Sequence, residues 1–351
     1  MASFWVRTLR AVSAIPFLFI AVWTWQVMNL DKMSVLTKPF ADAGVIEWDG
    51  GKVTIIDHFH NIDFFDQIWR GGMATFSTST LGYDSVASWQ VFSFLIDLGP
   101  VYALWILESY RRTSNWTLAY LPTVFTLAAQ FLGIGPVAAV YYFLYITFGP
   151  TSSDLTHIST RQIGVWNKSS VPLLPIVLLL HTSVVLAMFL APNMATRHFW
   201  TWAWQLVPFW IGLANIIVEP VLNILQFKGR PSASPRLLLV VLGLISAGVW
   251  VHTLLFSPYS LSALFFPEAE EQSEFVPFIR RALQADQLGS FGSSLLWLAY
   301  SFFDLYSAGL MGNEWLYYSA SLPVITLCVG PGTALVIGWY VREVALASAK
   351  K

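Results

Sequence analysis

The chain has 351 residues, 56% of them hydrophobic, 16% aromatic and only 11% charged, with a formal net charge of −1. Soluble domains carry about 25% charged residues, so this chain lacks the polar surface that a soluble protein of its size needs. The near-zero charge gives no basic field for nucleic acid, and the single Cys328, in an apolar run, leaves neither a disulfide frame nor a cysteine metal site.

The expected fold is all-α, a polytopic transmembrane helix bundle of eight or nine helices. A membrane helix needs roughly 20 mostly apolar residues, and in chain order the spans fall at about 9–29, 86–108, 117–148, 171–191, 200–225, 237–256, 290–311 and 321–343. In the first, Arg7 and Arg10 stand before the apolar run, but "VWTWQVMNLDK" offers no small-residue cleavage site, so it reads as an anchor rather than a secretory signal. The third region is long for one helix and short for two. Gly133, Gly135 and Pro136 place a hinge or tight turn inside it, hence eight or nine. Arg7, Arg10, Arg111 and Arg112 put the N-terminus and the loop after the second span on the cytoplasmic side. "NKS" at Asn167 is a glycosylation acceptor only if its loop is lumenal. With no internal repeat of fixed period, residues 1–351 read as one integral-membrane domain of the endoplasmic reticulum or another endomembrane, with long loops at about 30–85 and 257–289.

Within the second span, "FLIDLGPVYALWILESYRR" sets Asp97 near mid-membrane and Glu108 near the boundary. An ionisable group at bilayer depth costs several kcal/mol and faces protein rather than lipid. The two acids share one helical face, about 16 Å apart along the axis, and Pro100 should kink the helix beside Asp97. A carboxyl kept neutral there would be a proton donor; the alternative is a hydrogen bond to a neighbouring helix. Arg111 and Arg112 follow Glu108 at ion-pair spacing. Asp304 is again near mid-span, and Glu219 forms one polar stripe with Asn215 and Asn223. His181 and His252 read as hydrogen-bonding core residues. In "DHFHNIDFFD", the spacing of Asp57, His58, His60, Asp63 and Asp66 matches no established metal pattern, which leaves Asp66 as a polar group at a pocket mouth. Most aromatics fit an interfacial belt and ordinary packing; the functional reading is a π-lined cavity that attracts a cation, with Tyr102, Tyr142, Trp204 and Asn215 as lining candidates. There is no DDxxD, DxDD or NDxxDxxxD run, P-loop, GxGxxG, haem-cysteine or GxSxG element. Neither metal nor cofactor is called for.

Three stretches, "HNIDFFDQIWRGGMATFST", "FSFLIDLGPVYALWILESYRR" and "AAQFLGIGPVAAVYYFLYI", resemble fungal integral-membrane terpene cyclases of meroterpenoid and indole-diterpene pathways, the macrophorin-type and aflavinine-type cyclases among them. The resemblance covers roughly residues 55–150, and the rest by helix layout. The chain is longer than the seven-helix cyclases of such pathways, so their catalytic acids are not carried over. The resemblance implies a metal-independent, protonation-initiated cyclisation of a lipophilic prenylated substrate that enters from the bilayer. An acid would protonate an alkene or epoxide, and aromatic faces would stabilise the cation. Asp97 and Glu108 would be the acids, Arg111 would orient Glu108, and Glu219 and Asp304 would relay or end the cascade. The rival readings are a proton-coupled small-molecule transporter or a non-catalytic membrane protein of the pathway. A membrane prenyltransferase is disfavoured by the missing aspartate motifs.

Overall fold

The computed structural model describes residues 4–111, 117, 120–156, 170–224 and 235–348, with the backbone alone at 170, 171, 219, 220 and 222–224. It is mostly helical and all-α. Helices α1 (Phe4–Ser13) and α2 (Ile15–Met28) lead through Asn29, whose side chain accepts the Lys32 N–H, into α3 (Leu30–Ala43). An antiparallel hairpin follows, β1 (Val45–Trp48) with β2 (Gly51–Thr54), turned at Asp49 and Gly50. Gly50 has φ 108°, a conformation that glycine adopts without a Cβ clash. Next come α4 (Asp63–Thr80) and α5 (Ser85–Ser109), the latter N-capped by Asp84 at the Ala87 N–H.

Residues 30–85 were expected to be a loop and instead carry two helices and the hairpin. The signals were local. An Asp-Gly pair between "VIEW" and "GKVT" specifies a hairpin. In α4, Trp69 and Met73 share one face and bury it against Trp202 and Leu206, while a run of serines and threonines dilutes the helix's apparent hydrophobicity. The same correction applies to 257–289.

From there the chain forms α6 (Pro122–Leu132), α7 (Ile134–Phe148) and the short α8 (Ser152–Thr156). A π turn, Leu178–Thr182, joins α9 (Ser170–Val177) to α10 (Ser183–Leu190). The rest comprises α11 (Met194–Gln205), α12 (Val207–Ile224), α13 (Arg236–Phe256), the short α14 (Leu261–Phe265), the 33-residue α15 (Phe275–Ser307), α16 (Glu314–Val329) and α17 (Pro331–Ser348). Helices α14 and α15 occupy much of the stretch expected to be the second long loop.

Eight or nine spanning helices are not what the described residues present. Three helices are long and apolar enough to cross a membrane, Ser85–Ser109, Pro172–Leu190 and Arg236–Phe256, and up to five if two bent pairs each count as one span. The expected spans at 117–148 and 321–343 are each cut by a glycine. The one at 290–311 is the second part of α15, whose first part carries Arg280, Arg281 and Asp286. The most apolar window of α5 is 94% buried inside the protein, which makes α5 a central strut of the bundle.

The two cuts are built alike. α6 ends at Gly133 (φ 83°, ψ 147°) and α16 at Gly330 (φ 88°, ψ 157°), and a new helix starts at the next residue. At each restart a carboxylate from a distant helix takes the exposed backbone N–H. The Gly135 N–H donates to Asp286 on α15 (2.6 Å), and the Gly332 N–H donates to Asp97 on α5. A hydroxyl-bearing residue of a further helix closes each cup, Thr24 of α2 over Gly135 and Ser246 of α13 over Gly332; one turn on, Met28 and Trp250 press on Gly133 and Gly330. A Cβ on Gly135 would lie 2.8 Å from the Asp286 carbonyl oxygen, and one on Gly332 would lie 2.7 Å from Asp97 Oδ1, so both cups need glycine. α2, α5 and α6–α7 therefore correspond to α13, α15 and α16–α17, and the aspartate of each half caps the broken helix of the other. This is a repeat of contacts without a fixed period in the sequence, so it stands beside the expectation of no fixed-period repeat and does not overturn it. Buried helix N-termini leave N–H groups without partners, and an anion in that position contributes up to about 2 kcal/mol when partly buried.

Candidate functional site

Glu108 sits at the centre of the most concentrated buried charge in the described residues. Its carboxylate accepts from Arg111 Nε and Nη2 (both 2.7 Å), Arg342 Nη1 (2.8 Å), Tyr145 Oη (2.6 Å) and Trp339 Nε1. Arg111 also pairs with Glu343. The positions follow from the helices: Arg111 stands one turn after Glu108, while α17 brings Trp339, Arg342 and Glu343 alongside and α7 brings Tyr145. The guanidinium of Arg342 lies over Trp297 (5.4 Å) and that of Arg111 over Trp339 (5.6 Å). Two carboxylates and two guanidiniums thus neutralise one another in a site almost without water, with Glu108 1% and Arg342 4% exposed. Such a network fixes helix register and leaves Glu108 with its acceptor sites filled.

Asp97 is fully buried, and its Oδ1 accepts from Ser246. Asp304 forms a two-point ion pair with Arg10 (2.7 and 3.0 Å). Arg7 and Arg10 also donate to the carbonyls of Ile146, Thr147, Gly149 and Pro150, so the N-terminal arginines cap the C-terminus of α7. The side chains of Glu219 and Asn223, together with Arg112 and Asn167, lie outside the described residues. Asn215 accepts from the Tyr110 hydroxyl.

The aromatic candidates do not meet in one chamber. Tyr142 accepts from Trp105 Nε1 (2.8 Å) and stacks on Trp297 (5.2 Å), in a packed column with Tyr141. Trp204 packs edge-on to Phe76. Tyr102 lines a recess of about 10 Å³, room for about one water molecule, with Ile106, Pro122, Thr126 and Ile211; neither Asp97 nor Glu108 lines it. Ligand pockets run to about 300–1,000 Å³. His181 packs edge-on to Tyr102, and its Nε2 bonds the Leu95 carbonyl.

Asp66 differs from the other acids. The hairpin and α4 form a small aromatic corner with α11, in which His60, Asp66 and Trp69 meet. The His60 N–H donates to Asp66 Oδ1 (2.9 Å), and the His60 ring stands edge-on to Trp69 (5.1 Å) and Trp202 (5.9 Å). Phe59, Phe65 and Phe131 complete the walls. His60 Nε2, Asp66 Oδ2 and Trp69 Nε1 are buried without partners among the described residues, each a cost of about 1–3 kcal/mol if left so. Burial holds the His60 imidazole below its usual pKa of 6.5, with Asp66 opposing, so the ring is neutral near pH 7. The metal idea finds no support in the arrangement. Asp57 pairs with Arg70, and among the described residues no three His, Cys, Asp or Glu side chains gather to hold an ion.

The family model of the CtvD domain matches residues 11–347. The chain is 27% identical over 354 residues to the FAD-dependent monooxygenase verC1 of Penicillium polonicum, covering 96% of this chain and 43% of that protein. It is 27% identical over 313 residues to the FAD-dependent monooxygenase anuJ of Penicillium roqueforti (85% and 37%). It is also 24% identical over 268 residues to the FAD-dependent monooxygenase BOA8 of Botryotinia fuckeliana (71% and 33%). The chain spans less than half the length of these curated relatives. No solved structure matches it. These matches overturn the resemblance to membrane terpene cyclases and the isomerase or lyase activity it implied, because the relatives carry an oxidoreductase name; the transporter alternative gains nothing from them.

FAD itself does not fit the described residues. A dinucleotide's diphosphate rests on a glycine-rich turn between a parallel strand and a helix N-terminus. Gly133-Ile134-Gly135-Pro136-Val137-Ala138 has the looser G-x-G-x-x-A spacing, which a search for three glycines misses, and it does open α7. Yet a helix precedes it, and the Gly135 N–H is taken by Asp286 with Thr24 packed over the glycine. A diphosphate there would face a carboxylate. At Gly332 the N–H is likewise taken, by Asp97.

Proposed function

This chain belongs to the CtvD domain family, and from that premise we propose that it is the membrane-embedded, substrate-handling part of an FAD-dependent monooxygenase-type system of fungal secondary metabolism. In this reading the flavin is held by polypeptide other than the residues described above. The observation that carries it is the mismatch of coverage and chemistry. The match takes up 71–96% of this chain but 33–43% of the relatives named for FAD, while the glycine turns that resemble a dinucleotide site are filled by the chain's own carboxylates.

The division of labour is physical. An apolar, multi-pass chain in the endoplasmic reticulum or another endomembrane gathers a lipophilic small molecule from the bilayer and holds it away from water. Buried ion pairs and carboxylate-capped breaks keep the bundle rigid, so that one face of the bound molecule is presented to the flavin protein. The chain itself donates no electron and no oxygen atom.

The test is reconstitution. This chain in lipid nanodiscs is combined with the portion of the Penicillium polonicum relative outside the match, and oxygenation of a lipophilic substrate is followed by mass spectrometry. The proposal expects turnover to rise when the chain is added and the chain to stay in membranes after carbonate extraction. Unchanged turnover, or release into the carbonate supernatant, refutes it.

A further inference from the structure

Between residues 60 and 70, four buried polar side-chain atoms have no partner among the described residues: His60 Nε2, Asp66 Oδ2, Trp69 Nε1 and Arg70 Nε. Three of them belong to residues that adjoin one another at the start of α4. Asp66 and Trp69 are one turn apart on α4, 3% and 2% exposed, and His60 touches both, through its N–H to Asp66 Oδ1 and its ring edge to Trp69. Buried polar atoms in native proteins are nearly always paired, so such a cluster points to a missing partner.

The donor inventory specifies that partner. Trp69 Nε1 only donates, and the carboxylate oxygen Asp66 Oδ2 accepts. A cation would leave the indole N–H unmet. A carboxylate or phosphate would repel Asp66, and a ketone or ether would leave Oδ2 without a donor. A hydroxyl meets both at once. The Phe59, Phe65, Phe131 and Trp202 rings packed around the corner make its surroundings apolar, which suits the carbon chain of a lipophilic alcohol. We propose that the His60–Asp66–Trp69 corner binds the hydroxyl group of a lipophilic alcohol, its O–H donating to Asp66 Oδ2 and its oxygen accepting from Trp69 Nε1. The neutral imidazole of His60 closes the third side and can serve as donor or acceptor through Nε2. This deepens the substrate-handling reading, but it concerns binding alone and stands or falls without any flavin protein.

The experiment uses the full chain in nanodiscs and tritiated farnesol as the probe, with farnesyl methyl ether as competitor. The site predicts saturable farnesol binding and an ether at least tenfold weaker, because the ether offers no proton to Asp66. Trp69→Phe keeps the ring and removes the N–H, and should weaken both ligands about tenfold. Asp66→Asn should narrow the gap between alcohol and ether. Absence of saturable binding, equal affinity for alcohol and ether, or farnesol binding untouched by both substitutions overturns the proposal and leaves an internal water as the occupant. Because the comparison of alcohol with ether needs no substitution, it decides the matter even if a variant fails to fold.

Discussion

Glu108→Gln separates a structural acid from a chemical one. The side chain is 1% exposed, and its two oxygens receive Arg111 twice, Arg342, Tyr145 and Trp339. Glutamine keeps the shape but turns one oxygen into an NH₂ that must face a donor, and it leaves two guanidiniums to share Glu343. Breaking one side of a buried ion pair costs about 3–5 kcal/mol. The five hydrogen bonds are not summed separately, because they form one coupled network. Chemical denaturation in detergent, followed by far-UV circular dichroism, reads the loss directly. Adding Arg342→Met to Glu108→Gln should cost less than the two single changes together, with a coupling of about 0.5–3 kcal/mol. A loss below about 1 kcal/mol for Glu108→Gln, or full stability with activity abolished, would refute the structural role assigned to this carboxylate.

The capped breaks and the aromatic corner yield further expectations. Gly135→Ala drives a methyl to 2.7 Å from Thr24 Cγ2 and 2.8 Å from the Asp286 carbonyl oxygen, an overpacking cost of about 1–3 kcal/mol in the same denaturation assay. Gly330→Ala adds a Cβ at φ 88° and against Trp250 (2.9 Å), so it should cost about 1–3 kcal/mol from backbone strain alone. Gly248→Ala, in a helix interior where nothing lies within 4 Å, serves as the control and should not destabilise, gaining up to about 1 kcal/mol. His60 carries a lowered native pKa, so the unfolded chain takes up its proton first as the pH falls. Stability should therefore decline from about pH 6.5 downward, toward the lowered native value. Melting curves at about pH 7 and about pH 5 test this, and His60→Asn should flatten the difference.

The helical class and the break in the third apolar region were legible in the sequence, because Gly133, Gly135 and Pro136 interrupt a long apolar run. The number of spans was not. Hydropathy reports that a segment avoids water, and α5 does so by being enclosed in protein. The repeat stayed hidden because its two halves share little beyond an aspartate on one helix and a Gly-x-Gly at a break, with Thr24 answered by Ser246 and Met28 by Trp250. No fixed spacing connects these pairs, since the intervening segments differ in length. At the site, the Glu108–Arg111 spacing already specified an ion pair, whereas Arg342 and Glu343 could join it only through tertiary packing. Asp66 stood out as a polar group among aromatics. Its unpartnered oxygen, and the companionship of His60 and Trp69, became visible only once the hairpin folded back on α4.

Retention of FAD tests the central claim most directly. The full chain, purified in nanodiscs, is dialysed against FAD and its bound flavin read from the visible absorbance. The account predicts no saturable retention, since Asp286 and Asp97 already hold the glycine N–H groups a diphosphate would need. One tightly held FAD per chain would contradict it.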